Sequence, residues 1–216
     1  MHIYAFGSVC RGDISIDSDV DLLAIVQGHD ARFSPDDYSI YSYERISGIW
    51  TEGNPFAWHL SIESRLLYAS DQFDFIGSLG SPQPYRKCRQ DCEKFFALFR
   101  EARDSFRAQH DSRVFDLSTV FLAIRNFATC FSLGALAKPD FSRNSALRLG
   151  NYSLPIPVSA YNVMERSRVL STRGIGESIT DQEAQIAFEQ FSNIEGWMGR
   201  LLTEVSESCG MSLTTA

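Results

Sequence analysis

Two aspartates, Asp19 and Asp21, stand one residue apart at the start of an apolar run that continues to Val26. Side chains separated by one residue in a β-strand point to the same face, so these two carboxylates would share one site. Like charges this close repel each other unless a cation lies between them, and carboxylate oxygens are ligands that Mg²⁺ prefers. The pair therefore predicts a divalent-metal site.

A glycine-serine pair, Gly7-Ser8, interrupts the first apolar segment of the chain and precedes the two aspartates. Glycine lets the backbone approach a ligand closely, and the serine hydroxyl or amide can donate to a phosphate oxygen. Arg11 follows three residues later and could add a charged contact to the same phosphate. A glycine turn beside paired carboxylates indicates metal-assisted chemistry on phosphate groups.

The elements that would position these residues are short and mixed in character. Strands are predicted over four apolar segments, namely 2–6, 20–26, 38–43 and 65–68. Helices are predicted over 44–51 and again from Pro55, where Asn54 suits the N-cap position. Residues 1–76 are therefore predicted to form a mixed sheet with flanking helices.

The character of the sequence changes after residue 76. Glycine and proline are frequent over 77–84, which predicts a linker between two domains. Apolar residues then recur at helical spacing, and helices are predicted over 87–109, 116–136, 158–170 and from Thr180 to about Ser206, the last capped by Thr180 and Glu183. The predicted fold class is α+β, with an all-α helical bundle over 85–216 after the mixed sheet.

Composition bounds the functions open to the chain. With 216 residues, 44% hydrophobic and 22% charged, it has the composition of a folded globular protein, and its net charge of −7 argues against a nucleic-acid coat. Five scattered cysteines favour reduced thiols over a disulfide framework. No apolar run is expected to be long enough to cross a membrane and no signal peptide is recognised, so we expect a cytoplasmic protein without a membrane partner.

The two-part pattern resembles the signature of the polymerase-beta-like nucleotidyltransferase superfamily. Gly7-Ser8-x-x-Arg11-Gly12 is followed, after a gap of about ten residues, by Ser18-Asp19-x-Asp21-Leu22-Leu23, which is the order found in that family. The resemblance implies that Asp19 and Asp21 are catalytic and hold Mg²⁺ or Mn²⁺. It also implies that Gly7, Ser8 and Arg11 bind the triphosphate of an NTP, with ATP as the default.

The family's third carboxylate, the general base that activates the acceptor hydroxyl, is not evident. The likeness of residues 38–46 to the corresponding strand and helix places it near Ser39. Asp37, two residues earlier, is the predicted catalytic substitute, and Glu44 and Glu63 are weaker candidates. His59 and Glu63, four apart on a predicted helix, are expected to be a paired helix face and not a metal site.

The helical half also resembles known arrangements. Kanamycin-type nucleotidyltransferases, and small prokaryotic transferases that partner or fuse with HEPN domains, join this catalytic domain to helices. Arg125-Asn126 resembles the start of the HEPN ribonuclease motif, but Cys130 stands where that motif has histidine. Buried cysteine is a poor proton carrier, so a HEPN-like domain here is expected to bind substrate or regulate, without cleaving RNA. A homodimer through this domain is a further expectation.

Two functions remain open from the sequence. The first is a metal-dependent transferase that moves a nucleoside monophosphate from an NTP to a hydroxyl of a small molecule, a protein or an RNA end. The alternative is a catalytically weak nucleotide-binding or antitoxin-like module that lacks the third carboxylate, because loss of the base permits binding with slow or absent transfer.

Overall fold

The chain folds into two compact units, Met1–Arg86 and Lys87–Ala216. The structure is a computed structural model that describes residues 1–13, 20–109 and 112–211, with side chains as far as Val205. The predicted metal ligand Asp19 lies outside the described residues. Its partner in the motif, Asp21, lies within them.

The N-terminal unit contains the predicted mixed sheet. Its strands are β1 (His2–Phe6), β2 (Asp21–Val26), β3 (Ser39–Ser42) and β4 (Ser64–Ala69). The order across the sheet is β3-β2-β1-β4, in which β1 is antiparallel to both neighbours and β2 is parallel to β3. All four strands predicted from the sequence are confirmed, and with the helical second unit they establish the α+β class.

In the described part of this unit, four helices accompany the sheet: α1 (Ser8–Arg11), α2 (Tyr43–Glu52), α3 (Pro55–Glu63) and α4 (Phe75–Ser78). The Asn54 side chain accepts a hydrogen bond from the amide of Phe56 at 2.8 Å, and Pro55 occupies the first helical position. This is the predicted start of α3. Proline is suited to that position because its missing amide hydrogen would have no helical partner there.

The core of this unit follows from strand alternation. Leu23 and Ile25 of β2 point to one face, where they are fully buried beneath α2 and α3 with Tyr4, Phe6, Ile46, Ile49, Trp50 and Leu60. Asp21 belongs to the same alternation but lies at the exposed start of the strand. The fold therefore directs this carboxylate toward the helix-covered face of the sheet, at the point where the sheet ends.

The segment predicted as a linker begins with the last two residues of α4 and then runs back along the first unit. The indole nitrogens of Trp50 and Trp58 donate to the carbonyls of Gly80 and Gln83 at 2.9 and 3.1 Å. The amide of Gln83 donates to the carbonyl of Trp50 at 2.9 Å. Residues 80–83 are thus tied to α2 and α3, and the division into units falls after Arg86.

The second unit is helical, and its described residues contain no strand. Its helices are α5 (Cys88–Ala108), α6 (Arg113–Gly134), α7 (Val158–Arg173), α8 (Asp181–Phe188) and α9 (Phe191–Met211), with short 3-10 turns over Ser145–Leu147 and Gly150–Tyr152. The side chain and amide of Thr180 form the predicted capping box with Glu183.

The prediction of one long helix after Thr180 is wrong. α8 ends at Phe188 and α9 begins at Phe191. The break allows the rings of both phenylalanines to pack against Phe106, at centroid distances of 5.0 and 5.6 Å. Apolar spacing continues across the break, so the sequence pattern alone did not reveal it.

Helix α6 corrects a second expectation. Among the described helices it alone is long and apolar enough to cross a membrane by length and composition, whereas the sequence analysis predicts no such segment. However, 67% of its most apolar window is buried inside the structure. A core helix of a helical bundle has the same composition, because it is surrounded by apolar neighbours.

Candidate active site

The candidate site lies at one end of the sheet, where several elements meet. Phe6, the last residue of β1, pairs with Asp21 at the start of β2 and with Ser64 at the start of β4. The amide of Gly7 donates to the carbonyl of Glu63, the last residue of α3, at 3.0 Å. The β1–α1 turn, the start of β2 and the end of α3 are therefore joined by the sheet and one main-chain hydrogen bond.

Gly7 makes the turn from β1 into α1 and brings the backbone close to Asp21. Its φ of +76° belongs to the region that favours glycine. A Cβ atom at this position would lie 2.9 Å from Asp21 Oδ2 and 3.8 Å from His59 Nε2. The predicted proximity of the glycine-serine turn to this carboxylate is therefore present in the structure, and His59 borders the same space.

Asp21 and Asp37 line the same pocket, which has a volume of about 380 Å³. The other lining residues are Val20, Leu22, Pro35, Asp36, Tyr38 and Ser39. Asp37 is exposed in the turn before β3, where its amide donates to the carbonyl of Ser34 at 3.1 Å. The structure thus brings the predicted substitute base to the pocket that contains Asp21. Its role as a base stays a prediction.

Ser39 occupies the strand position at which the family's third acid was expected. It pairs with Leu23 in the parallel register of β2 and β3. Tyr41, two residues later, packs against the core beneath α2 and α3, so Ser39 points to that same face. The strand therefore presents a hydroxyl on the face where Asp21 presents a carboxylate.

The two weaker candidates for the third acid have different surroundings. Glu44 is exposed in the first turn of α2, where hydrogen bonds from its own amide and from the Ser42 side chain lower the pKa of its carboxyl. Glu44 is thus an acidic residue of the first helical turn, which is capped by the Ser42 side chain. Glu63, in contrast, is buried, and its side chain is 10% exposed at the end of α3.

Glu63 is the centre of a charged cluster that the sequence revealed only in part. Its carboxylate accepts from Arg11 Nη1, and its Oε2 lies 2.9 Å from His59 Nε2. The pairing of His59 with Glu63 is confirmed. The contact with Arg11 was missed because 52 residues separate the two positions, and no local spacing relates them.

Arg11 is engaged by two carboxylates. In addition to Glu63, it donates through Nε to Asp13 Oδ2 at 3.0 Å. Burial lowers the pKa of Arg11, but the hydrogen bond to Asp13 and the charge of Glu63 outweigh it, and the net shift is upward. The guanidinium is therefore a permanent cation beside the Gly7-Ser8 turn, as an anion-binding role requires.

The chemistry of the donor set suits a hard divalent cation. Asp21 supplies carboxylate oxygens next to a glycine turn, and such oxygens are preferred by Mg²⁺. Within the described ranges, no group of three or more His, Cys, Asp or Glu residues is arranged to hold a metal. Those ranges exclude Asp19, so the predicted pair cannot be compared with that finding.

In the helical unit, the residues of the HEPN-like segment have structural contacts. Arg125 Nη2 donates to the carbonyl of Phe141 at 3.1 Å, and the Ser145 hydroxyl donates to the carbonyl of Arg125 at 3.2 Å. Cys130 is buried, and its carbonyl accepts from the Cys88 thiol at 3.3 Å. The two contacts of Arg125 hold the segment after α6 against that helix, and the contact between Cys88 and Cys130 joins α5 to α6.

Comparison with known proteins gives one match. Residues 2–73 match the family model of the nucleotidyltransferase domain, a span that covers β1 to β4 and about a third of the chain. No curated protein and no solved structure matches the chain. The resemblance carried by the two-part motif is confirmed for the N-terminal unit, and the HEPN-like likeness is not supported by any match.

Proposed function

Because residues 2–73 match the family model of the nucleotidyltransferase domain, we propose that the protein is a metal-dependent nucleotidyltransferase. It transfers a nucleoside monophosphate from an NTP, with ATP as the default, to a hydroxyl of its acceptor. One observation carries the proposal: Asp21 Oδ2 lies 2.9 Å from the position that a Cβ atom of residue 7 would occupy, so the carboxylate directly adjoins the backbone of the Gly7 turn.

Each residue of the proposed site has a defined task. Asp19 and Asp21 would hold Mg²⁺ or Mn²⁺, which when bound neutralises phosphate charge and orients the attacking and leaving oxygens. Gly7 lets the turn that would contact the triphosphate lie close to Asp21, because a Cβ atom at this position would lie 2.9 Å from Asp21 Oδ2. The Ser8 hydroxyl and the Arg11 guanidinium donate to phosphate oxygens.

The acceptor approaches through the pocket that Asp37 lines. Asp37 takes the proton from the acceptor hydroxyl. The oxygen of that hydroxyl bonds to the α-phosphorus of the NTP, and pyrophosphate leaves. The pocket is open and acidic, with Asp21, Asp36 and Asp37 among its lining residues. A small molecule, a protein side chain or an RNA end each carries a suitable hydroxyl.

The test is transfer of label from α-labelled NTPs, with Mg²⁺, to a fractionated lysate. Asp19→Asn and Asp21→Asn should each remove transfer below detection while the protein stays folded, because amides do not replace carboxylates as ligands. Asp30→Asn makes the same charge change at a residue that pairs with Arg32 and does not line the pocket. Wild-type transfer by Asp21→Asn would refute the proposal.

The alternative function is a nucleotide-binding or antitoxin-like module with little transferase activity. The position of Ser39, a hydroxyl on the face where the family's third acid was expected, favours it. Calorimetry that shows Mg²⁺-dependent NTP binding, together with no labelled acceptor in any lysate fraction, would support this alternative. Labelling of a single component would exclude it.

A further inference from the structure

Arg11 is held between two carboxylates that differ strongly in burial. Nη1 donates to Glu63, and Nε donates to Asp13 at 3.0 Å. The Glu63 side chain is 10% exposed and that of Asp13 is 53% exposed. The same guanidinium therefore has one protected partner and one partner at the surface.

The two carboxylates also differ in how firmly they are held. The carboxylate of Glu63 lies 2.9 Å from His59, and the carbonyl of the same residue accepts from the amide of Gly7. Asp13 follows the end of α1, where its amide donates to the carbonyl of Ser8 at 3.0 Å. Breaking a buried ion pair is costly, whereas a surface pair contributes little to stability. The bond between Arg11 and Asp13 is therefore the one that exchanges easily.

A phosphate group can take the place of a carboxylate on arginine. Both present oxygens that match the planar guanidinium fork, and both form short charge-assisted hydrogen bonds with it. Asp13 occupies the Nε edge of the Arg11 guanidinium, and Arg11 lies three residues after the Gly7-Ser8 turn. An incoming triphosphate at that turn would meet this edge of Arg11.

On the basis of the proposed nucleotide site, we propose that Asp13 is a placeholder for phosphate and that Glu63 is a positioning residue. Asp13 occupies the Nε edge of Arg11 in the nucleotide-free protein and gives way to a phosphate oxygen when the NTP binds. Glu63 keeps Nη1 anchored and so fixes the direction of the guanidinium. The two carboxylates then act on NTP affinity in opposite directions.

The opposite effects of Asp13 and Glu63 on NTP affinity distinguish the placeholder model from a general effect of net charge. Asp13→Asn and Glu63→Gln each remove one negative charge from the surroundings of Arg11. Both variants would therefore attract a nucleotide polyanion more strongly if net charge alone decided affinity. The placeholder model instead predicts tighter binding for Asp13→Asn and weaker binding for Glu63→Gln.

The experiment is an equilibrium titration of the full chain with a fluorescent NTP and Mg²⁺. Asp13→Asn should lower Kd about two- to threefold, because a surface ion pair no longer competes with phosphate. Glu63→Gln should raise Kd about tenfold, because Arg11 loses its charged anchor. In an Arg11→Ala background, Asp13→Asn should leave Kd unchanged, and the melting temperature of each variant checks folding.

Three results would overturn the inference. These are binding by Asp13→Asn that is no tighter than wild type, tighter binding by a folded Glu63→Gln, and an Asp13→Asn effect that persists without Arg11. If Glu63→Gln does not fold, the Asp13 and Arg11 variants decide alone. A wild-type protein that binds no Mg²⁺-NTP would refute the proposed function as well, whereas wild-type binding with an indifferent Asp13→Asn refutes only the placeholder.

Discussion

The two units use their polar side chains for different purposes. In the N-terminal unit, Arg11, Glu63 and His59 gather at the end of the sheet near Asp21 and Gly7, and their polar atoms contact one another. In the helical unit, buried hydroxyls donate to main-chain carbonyls, as Ser167 does to Val163 at 2.8 Å. Charges clustered away from a core indicate a ligand site, whereas polar groups that satisfy the backbone stabilise the fold.

This contrast predicts that substitutions at the sheet end change activity more than stability, and that substitutions in the helical unit do the reverse. The strongest test is Trp197→Ala. Trp197 is 1% exposed, donates to the carbonyl of Tyr152 at 2.7 Å and packs against Phe127. Its removal should cost about 4 kcal/mol and lower the melting temperature by about 10 °C in a thermal scan.

A second tryptophan provides the matched control for that measurement. Trp58 in the N-terminal unit is only partly buried, although its indole also donates to a carbonyl, that of Gln83. Trp58→Ala should cost about half as much, because less apolar surface returns to water. An equal loss in both variants would show that indole burial does not set the difference.

Gly7→Ala should reduce transfer about a hundredfold with a smaller effect on stability. The added methyl group would lie 2.9 Å from Asp21 Oδ2, so the carboxylate must move out of position, and such misplacement has effects of this size. Gly12→Ala is the matched control, because Gly12 has a similar φ of +78° but open space around it. Equal activity losses in steady-state assays would assign the effect to backbone strain alone.

Asp37→Asn should lower kcat by about tenfold to a hundredfold and leave the melting temperature unchanged, because the residue is exposed and its proposed task is proton transfer. Steady-state kinetics with the labelled acceptor would measure this. Asp36→Asn changes the same charge in the same pocket. A similar loss in that variant would mean that pocket charge, and not the Asp37 carboxylate, supports the reaction.

The smallest expected effects are on the pH dependence of stability in the helical unit, where two glutamates should act with opposite sign. Burial raises the pKa of Glu165 above its ordinary value of 4.5, although the charges of Arg143 and Arg125 act to lower it. The protonated Glu165 side chain therefore contributes fully to stability below pH 4.5, and this contribution is lost as pH rises through the raised pKa. Glu165→Gln should therefore melt above wild type at pH 7, with an advantage that disappears as pH falls toward 4.5.

Glu183 should behave in the opposite way. A hydrogen bond from Arg166, followed by those from Thr180, lowers its pKa to about 2. The contribution of the Glu183 carboxylate to stability is complete above pH 4.5 and is lost as pH falls through the lowered pKa of about 2. Glu183→Gln should melt below wild type at pH 7 and approach it near pH 2. Thermal scans of Glu165→Gln and Glu183→Gln between pH 2 and pH 7 test both expectations. Melting-temperature differences from wild type with the same sign at pH 7 would contradict them.

Much of the fold was open to prediction because its signals are local. The Asn54-Pro55 start of α3 and the Thr180 capping box depend on contacts between residues two or three apart. The position of β2 followed from a continuous apolar run that is covered on both faces, and that of β3 from alternation of residue types along an aromatic-rich segment. The break between α8 and α9 was missed because it is fixed by packing of Phe188 and Phe191 against Phe106, which lies on another helix.

The sequence by itself determined the residue types of the candidate site: a glycine turn, an arginine and paired aspartates at the spacing of the nucleotidyltransferase signature. Tertiary structure alone decided which other groups join them. It brought Asp37 to the pocket of Asp21 and placed Glu63 against Arg11 across 52 residues of chain. The reason is physical, since strand alternation and helix caps act over a few residues, whereas pairing between β1, β2 and the end of α3 depends on the folded sheet.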